Sequence, residues 1–209
     1  LVACVVDCGV DAAQAVGAGT AVESYQLLDQ LGLLVDKSLV VADDTGYGMR
    51  YCYWIPCGSA LDKLDESGET DDVRTRHRDY YTGMATELQA QGHWADERLL
   101  HWAQTEIDNL RAAFTWSRES GDLDTALQLI LSSRPLWLRG GRVEAALAGL
   151  SAILADEDHS AIAPAVWAGA VAQYCILASW VGKPAELGRA QEALAVARDL
   201  GDPALIARA

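Results

Sequence analysis

The chain has 209 residues, half of them apolar, with 16 basic against 30 acidic side chains and a formal charge of −14. That is enough material for one large domain or two small ones with a sizeable core. The acidity argues against a surface that grips nucleic acid throughout and suits basic partners. No run of about 18 apolar residues is present, so no transmembrane helix is predicted.

The N-terminal LVACVVDCGV is apolar but lacks a basic leader and soon meets Asp7 and Asp11, which excludes a signal peptide. The first residue is not methionine, and a fragment is expected. The five cysteines (Cys4, Cys8, Cys52, Cys57 and Cys175) are an odd number in a chain that is not small, so free thiols in a reducing cytosol are expected rather than a disulfide framework.

In chain order, DAAQAVGAG predicts a brief helix closed by glycines. VESYQLLDQLGLLV, residues 22–35, carries a helical apolar stripe. DDTGYG, rich in turn formers, lies between VV and YCYW and predicts a β-hairpin over about 38–43 and 49–54. Helices followed by a hairpin make a winged-helix pattern. From residue 70 the strand signals stop. Helices are predicted for 71–91, 96–120, 123–139, 142–156, 160–181 and 184–200, several ending at glycines such as Gly121, Gly182 and Gly201. Helical hairpins are therefore predicted throughout the second half.

An offset of 41 residues aligns Leu136 with Leu177, Gly141 with Gly182, Ala152 with Ala193 and Ile153 with Leu194. The last unit sets large Tyr174 and Leu177 beside small Ala178, then Ala190, Leu194 and Ala197, with Pro203 after the helix. Small residues let two helices approach closely, and the spacing resembles a tetratricopeptide repeat. An ordinary helical bundle is the alternative. A helix beginning near Ala204 leaves the stack looking truncated.

LLDQLGLLVDKSLVVADDTGYGMRY, ALDKLDESGETDDVRTRHRDYY, AQTEIDNLRAAFTWS and EALAVARDLGD follow one another in this order. Together they resemble bacterial, closest to actinobacterial, regulators that join a STAND-type (NB-ARC-like) P-loop ATPase, a tetratricopeptide region and a C-terminal LuxR-type helix-turn-helix. LVDKSLV and EIDNLRAAF.W are the more specific matches. The resemblance implies a mainly α fold, with a winged-helix unit with one hairpin at 1–68 and a TPR-like helical-repeat domain at 69–209. It implies a cytoplasmic, signal-responsive regulatory fragment whose repeats bind a protein or small-molecule inducer, with self-association possible. ATP or ADP would belong to an upstream module, and DNA contact to a helix-turn-helix further along. A stand-alone helical-repeat scaffold is the rival reading.

MRYCYWIPCGSALDKL, residues 49–64, departs from the family, in which the wing runs into a helix close to YRLLETVRQYALEKL. The flanks match and the middle does not. Back-translated and read in another frame, Cys52 to Ser59 can spell LLDTVRQ. Compensating frameshifts, in the gene or in its record, would explain the departure; divergence in a tolerant loop is the alternative. Pro56 and Gly58 disfavour the first turns of that helix, so a late start near Ser59 after strand-like residues is predicted. Related STAND proteins carry here a histidine that contacts nucleotide, and residues 49–64 have none.

GxxxxGK[ST] is absent, so ATP hydrolysis by this chain is not expected, and no enzymatic activity, catalytic residue, cofactor site or metal site is assigned to it. Residues 1–68 hold only Lys37, Arg50 and Lys63 against ten acidic residues, which points to a packing role for the wing rather than phosphate contact. The Cys4/Cys8 and His93/Glu97 pairs form no recognised ligand set, and His77, His101 and His159 read as surface or satisfied histidines. Arg74, Arg76, His77 and Arg78 read as a solvated helical face, paired to Glu66, Glu69 or Asp71. The seven tryptophans read mostly as repeat packing, with a ligand groove as the sharper option.

Overall fold

The computed structural model describes residues 7–17, 24–46, 48–53, 58–90, 97–139, 142–155, 159–184 and 186–209. The chain is mainly helical with one small antiparallel sheet, as expected. No helix among the described residues is long and apolar enough to cross a membrane. The chain forms two compact units, Leu1–Met84 with Thr105–Trp116, and Ala85–Gln104 with Ser117–Ala209.

The first unit begins with strand β1 (Asp7–Gly9) and helix α1 (Val10–Gly17). Helix α2 (Ser24–Asp36) leads into the hairpin β2 (Val40–Asp44) and β3 (Met49–Tyr53). The hairpin was legible in the sequence; the short β1 was not. Strand β3 is central, with β1 and β2 antiparallel on either side, and Cys52 stands opposite both Asp7 and Val41. The turn is closed by Gly46 N–H to Asp44 Oδ1 at 3.0 Å and by Thr45 Oγ1 to the Gly48 carbonyl at 3.1 Å.

Helix α2 ends in a Schellman closure, with Ser38 N–H on Val35 O (2.8 Å) and Leu39 N–H on Leu34 O (2.9 Å). This puts Ser38 at φ +57°, a conformation that favours glycine. LVDKSLV is thus a helix stop leading into a strand. Helix α3 (Gly58–Ser67) starts one residue before the expected Ser59, with β3 as the strand before it. The tryptophan, proline and second cysteine of the irregular stretch fall at 54–57, outside the described residues. Leu64 of α3 packs with Val16 of α1 and with Val73 and Tyr80 of α4 (Thr70–Ala90), so ALDKL reaches the core of this unit.

The predicted helix over 96–120 is two helices, α5 (Glu97–Thr105) and α6 (Ile107–Glu119), interrupted at Glu106. The predicted helix over 123–139 likewise divides at Ser133 into α7 (Leu123–Ser132) and α8 (Arg134–Arg139). Pro135 accounts for the second division, because proline fits a helix's first turn and not its interior. In the second unit α9 (Val143–Leu154), α10 (Pro164–Trp180), α11 (Leu187–Leu200) and the short α12 (Pro203–Ile206) follow. Helix α10 is the centre of this unit, packing on α7, α9, α11 and α12. Residues 167–173 of α10 are buried all round, as expected of a helix with neighbours on every side. Gly169 gives part of the reason: a Cβ there would lie 3.6 Å from Leu131 Cδ1 and 3.7 Å from Leu205 Cδ1.

Three of the expected glycine stops hold, and a fourth, at Gly140 and Gly141, lies outside the described residues. Gly121, Gly182 and Gly201 all adopt positive φ and lie at the ends of α6, α10 and α11. Asp122 starts α7 by accepting from Thr125 N at 3.1 Å and Thr125 Oγ1 at 2.9 Å.

Candidate functional site

The first unit contains a cluster of interlocked polar side chains drawn from four separated segments. Arg50 of β3 and Asp7 of β1 lie diagonally across the strand pair. Arg50 Nε donates to both Asp7 carboxylate oxygens at 3.0 and 2.9 Å. Arg50 Nη1 donates to Glu106 Oε1 at 2.5 Å. The opposite oxygen, Glu106 Oε2, accepts from Tyr81 Oη of α4 at 2.9 Å and from Asn109 Nδ2 of α6 at 2.6 Å. Asn109 Nδ2 also donates to the Asp7 carbonyl at 2.8 Å.

Because the Asn109 amide nitrogen is spent on those two acceptors, its Oδ1 faces His77 Nε2 at 3.5 Å as an acceptor. His77 Nε2 is therefore the protonated nitrogen and donates to it. Its ring lies 4.7 Å from that of Tyr81, and Tyr80 meets Tyr81 edge-on at 5.0 Å.

Burial makes this cluster consequential. The Glu106 side chain is 3% exposed and that of Arg50 13%, whereas Asp7 keeps 40%. One guanidinium thus faces two carboxylates, and the more deeply buried carboxylate is also held by two neutral donors. A buried carboxylate needs that full set of donors to remain charged. The consequences appear in the neighbouring groups. Burial pulls His77 down to about 4, against the opposing hydrogen bond to Asn109. Burial, then Asp7 and Glu106, pushes the Cys8 thiol up to about 12. Burial, then Asp11 and Glu106, pushes Tyr80 up to about 12. Burial lowers Arg50, but its hydrogen bonds to Glu106 and Asp7 outweigh that and raise it overall. The arrangement is a nearly saturated staple between strands and helices of the first unit.

The basic run of α4 corrects the solvated-face expectation. Arg74 lies over the Trp116 ring at 5.2 Å, and Trp116 Nε1 donates to Thr75 Oγ1 at 3.2 Å. Arg76 Nε donates to the Val16 carbonyl at 2.9 Å, near the C-terminal end of α1, where a cation is favoured. His77 is 2% exposed. The Arg78 side chain is 14% exposed and pairs with Asp79. Long cationic stems were used here to cover aromatic and backbone groups. His77 is the satisfied histidine the sequence suggested; His93 lies outside the described residues.

Lys63 is paired with Glu66 at 2.5 Å, and Arg50 is committed to the cluster. Of the three basic residues expected on the wing segment, two are therefore already engaged by carboxylates. Asp43 and Asp44, near the hairpin turn, are exposed.

In the second unit, α10 and α11 pack on each other and carry all six residues singled out as repeat packing. Leu177, Ala178 and Ala197 are buried at 1%, 1% and 0%, while Tyr174, Ala190 and Leu194 are half-buried. Tyr174 Oη donates to Glu186 Oε1 at 3.2 Å. The offset of 41 holds for Leu136 and Leu177, both buried, but not for Ala152, exposed, against Ala193, buried.

The tryptophans are dispersed. Trp167 is buried and stacks on His159 at 4.4 Å, Trp137 Nε1 donates to the Ile130 carbonyl at 3.2 Å, and Trp180 is 58% exposed. Trp54 and Trp94 lie outside the described residues. Among the described residues no group of three His, Cys, Asp or Glu side chains is placed to hold a metal ion.

Sequence reasoning did not single out Glu106, Asn109, Tyr81 or Asp7. A signal was present in EIDN, where a Glu and an Asn three residues apart sit between apolar helix positions. Such a pair lies on one helix face.

Over 206 aligned residues the chain is 45% identical to proteins of Mycobacterium tuberculosis and Mycobacterium bovis whose names provisionally designate them HTH-type transcriptional regulators. The match takes in 95% of this chain and 23% of each of those proteins, so the chain spans less than a quarter of the length of these curated relatives. Proteins of the same two organisms named only as uncharacterized are 44% identical over 72 residues, covering 33% of this chain and 18% of theirs. No family model matches the chain. No solved structure matches it.

Proposed function

We propose that this chain is the regulatory middle of a cytoplasmic, signal-responsive transcriptional regulator. The observation that carries the reading is a 45% identity that runs through 95% of the chain while covering only 23% of proteins designated as HTH-type regulators. A segment matched so completely inside so much longer a protein is one module of it.

In this reading the first unit, winged-helix-like, adjoins an upstream STAND-type P-loop ATPase and passes its state on by packing. The second, a TPR-like set of helical hairpins, takes up an inducer or a protein partner. DNA contact belongs to a LuxR-type helix-turn-helix elsewhere in the protein, and nucleotide to the ATPase module. The electrostatics of the wing support this division of labour. Its arginine is withdrawn into the buried cluster, Lys63 is paired, and the acidic Asp43 and Asp44 are exposed. Such a surface repels phosphate. The chain itself is then a binding and coupling module rather than an enzyme.

Sequencing the coding DNA from well upstream of codon 1 to well beyond codon 209 tests the proposal. One open frame with a P-loop on one side and a helix-turn-helix on the other is the expected result. Stop codons at both edges would overturn it in favour of a stand-alone helical scaffold. The same read decides whether codons 52–59 spell LLDTVRQ in another frame.

A further inference from the structure

Four large apolar side chains stay exposed among the described residues of the second unit, and three of them share one place: Trp180 at 58%, Val181 at 39% and Leu187 at 70%. Trp180 ends α10, Val181 caps it, and Leu187 opens α11. The two helices pack on each other, so these residues stand together at one tip of the α10–α11 hairpin. Single apolar side chains on a surface are ordinary, but a group of them that includes a tryptophan is the composition of a binding surface.

The backbone of the tip has a defined closure. Gly182, at φ +72°, donates to Ser179 O at 3.3 Å, and Lys183 N–H donates to Ala178 O at 2.9 Å. In such a Schellman closure the residue after the glycine is frequently apolar and folds back on the helix. Here that residue is Lys183, and it is exposed.

The charge of the tip is opposite to that of the chain, whose formal charge is −14. Lys183 and Arg189 stand there against one carboxylate, Glu186. That carboxylate is already engaged, by Tyr174 Oη at 3.2 Å and by Arg189 Nη1 at 3.4 Å. Among the described residues no carboxylate pairs with Lys183. The next carboxylate of α11, Glu192, is five positions beyond Leu187 and so about 140° round the helix from it.

We propose that this tip docks an acidic, apolar peptide segment of a partner protein. Trp180, Val181 and Leu187 cover the apolar side chains of that segment, and Lys183 meets its Asp or Glu. A basic segment would be repelled. The inference deepens the reading of the second unit as the part that takes up a partner, and it rests on that reading for its role. The rival occupants are a second copy of this chain and another segment of the same longer protein.

Selection from a random peptide display library on the immobilised 209-residue chain tests the proposal. A Trp180→Ser/Lys183→Glu/Leu187→Ser variant with matching helical circular dichroism is the parallel target. Peptides enriched on the chain and not on the variant are expected to combine aromatic or aliphatic residues with Asp or Glu. For the most enriched peptide, synthesised and labelled, Trp180→Ser and Lys183→Glu should each weaken binding roughly tenfold. Leu200→Ser, exposed at the far end of α11, should leave it unchanged.

Enrichment that the triple variant retains, enrichment in Lys and Arg, or no enrichment overturns the proposal. Should the triple variant not fold, the single variants decide, and binding indifferent to both is equally fatal. Sedimentation in which the chain self-associates and Lys183→Glu does not would give the tip to a second copy. A Trp180 indole N–H shielded from solvent in the protein made from the whole reading frame, without peptide, would give it to a neighbouring segment. Either result overturns the partner assigned here. The two readings fail separately. Acidic peptides selected by a chain with no ATPase or helix-turn-helix around it keep the tip and discard the regulator. A tip that selects nothing inside a verified regulator does the reverse.

Discussion

Acid should destabilise the first unit through one residue, His77. Its ring is 2% exposed, packed on Tyr81 at 4.7 Å and hydrogen-bonded through Nε2 to Asn109 Oδ1. The charged groups near it act through those neighbours: Glu106 is bonded to both Tyr81 and Asn109, and Arg50 and Asp7 complete the cluster. Burial holds the folded-state value at about 4, below the ordinary 6.5. Above pH 6.5 both the folded and the unfolded ring are neutral, and His77 adds no pH dependence. As pH falls from 6.5 toward 4 the unfolded ring takes up a proton that the folded ring resists. Folding stability then drops by about 1.4 kcal/mol per pH unit, reaching a loss of about 3 kcal/mol near pH 4 and levelling off below it.

Carboxylates titrate in the same range, so the informative quantity is a difference. Urea unfolding of the intact chain and of His77→Gln, compared at pH 7.5, 6.5, 5.5 and 4.5, isolates the histidine. The variant is expected to lose stability at neutral pH but to show a shallower decline below pH 6.5. Parallel declines in the two proteins would refute the claim that a dry, neutral His77 is part of this core.

Three further outcomes follow from the geometry. Glu106→Ala should destabilise the first unit by about 3 kcal/mol or more, because it leaves Arg50 and Tyr81 without their buried acceptor. Asp7→Asn should cost less, since Asp7 is 40% exposed; equal shifts in denaturant midpoint would contradict the burial ranking. Ser38→Gly should stabilise by up to about 1 kcal/mol, because Ser38 holds φ +57° at the α2 stop and its backbone bonds survive the change; a lowered midpoint would show that the serine side chain matters there. Cys8, 1% exposed and pushed up to about 12, should resist alkylation at neutral pH in the folded chain, while half-buried Cys52 reacts faster. Peptide mass mapping that finds the two modified at equal rates would place Cys8 outside the core.

The cluster was only half legible for a clear reason. EIDN and RY lie in segments that carry the family resemblance, but a sequence does not say that Arg50, Glu106 and Asp7 meet. The basic run shows the same limit. By composition Arg74, Arg76 and Arg78 look solvated, and only the position of Trp116 and of the α1 carbonyls turns two of them inward.

What the sequence determined by itself is local. The hairpin, the late start of α3, most of the helices and their glycine stops follow from side-chain period, turn chemistry and the left-handed closure at Gly121, Gly182 and Gly201. Each of these depends on groups within a few residues of one another. Tertiary structure decided the rest. Strand β1 has three residues and no strand pattern of its own, and it is defined by its pairing with β3. The predicted helix over 96–120 is two helices, and Glu106 between them is bonded to Arg50 of β3, a partner 56 residues away that no local pattern encodes.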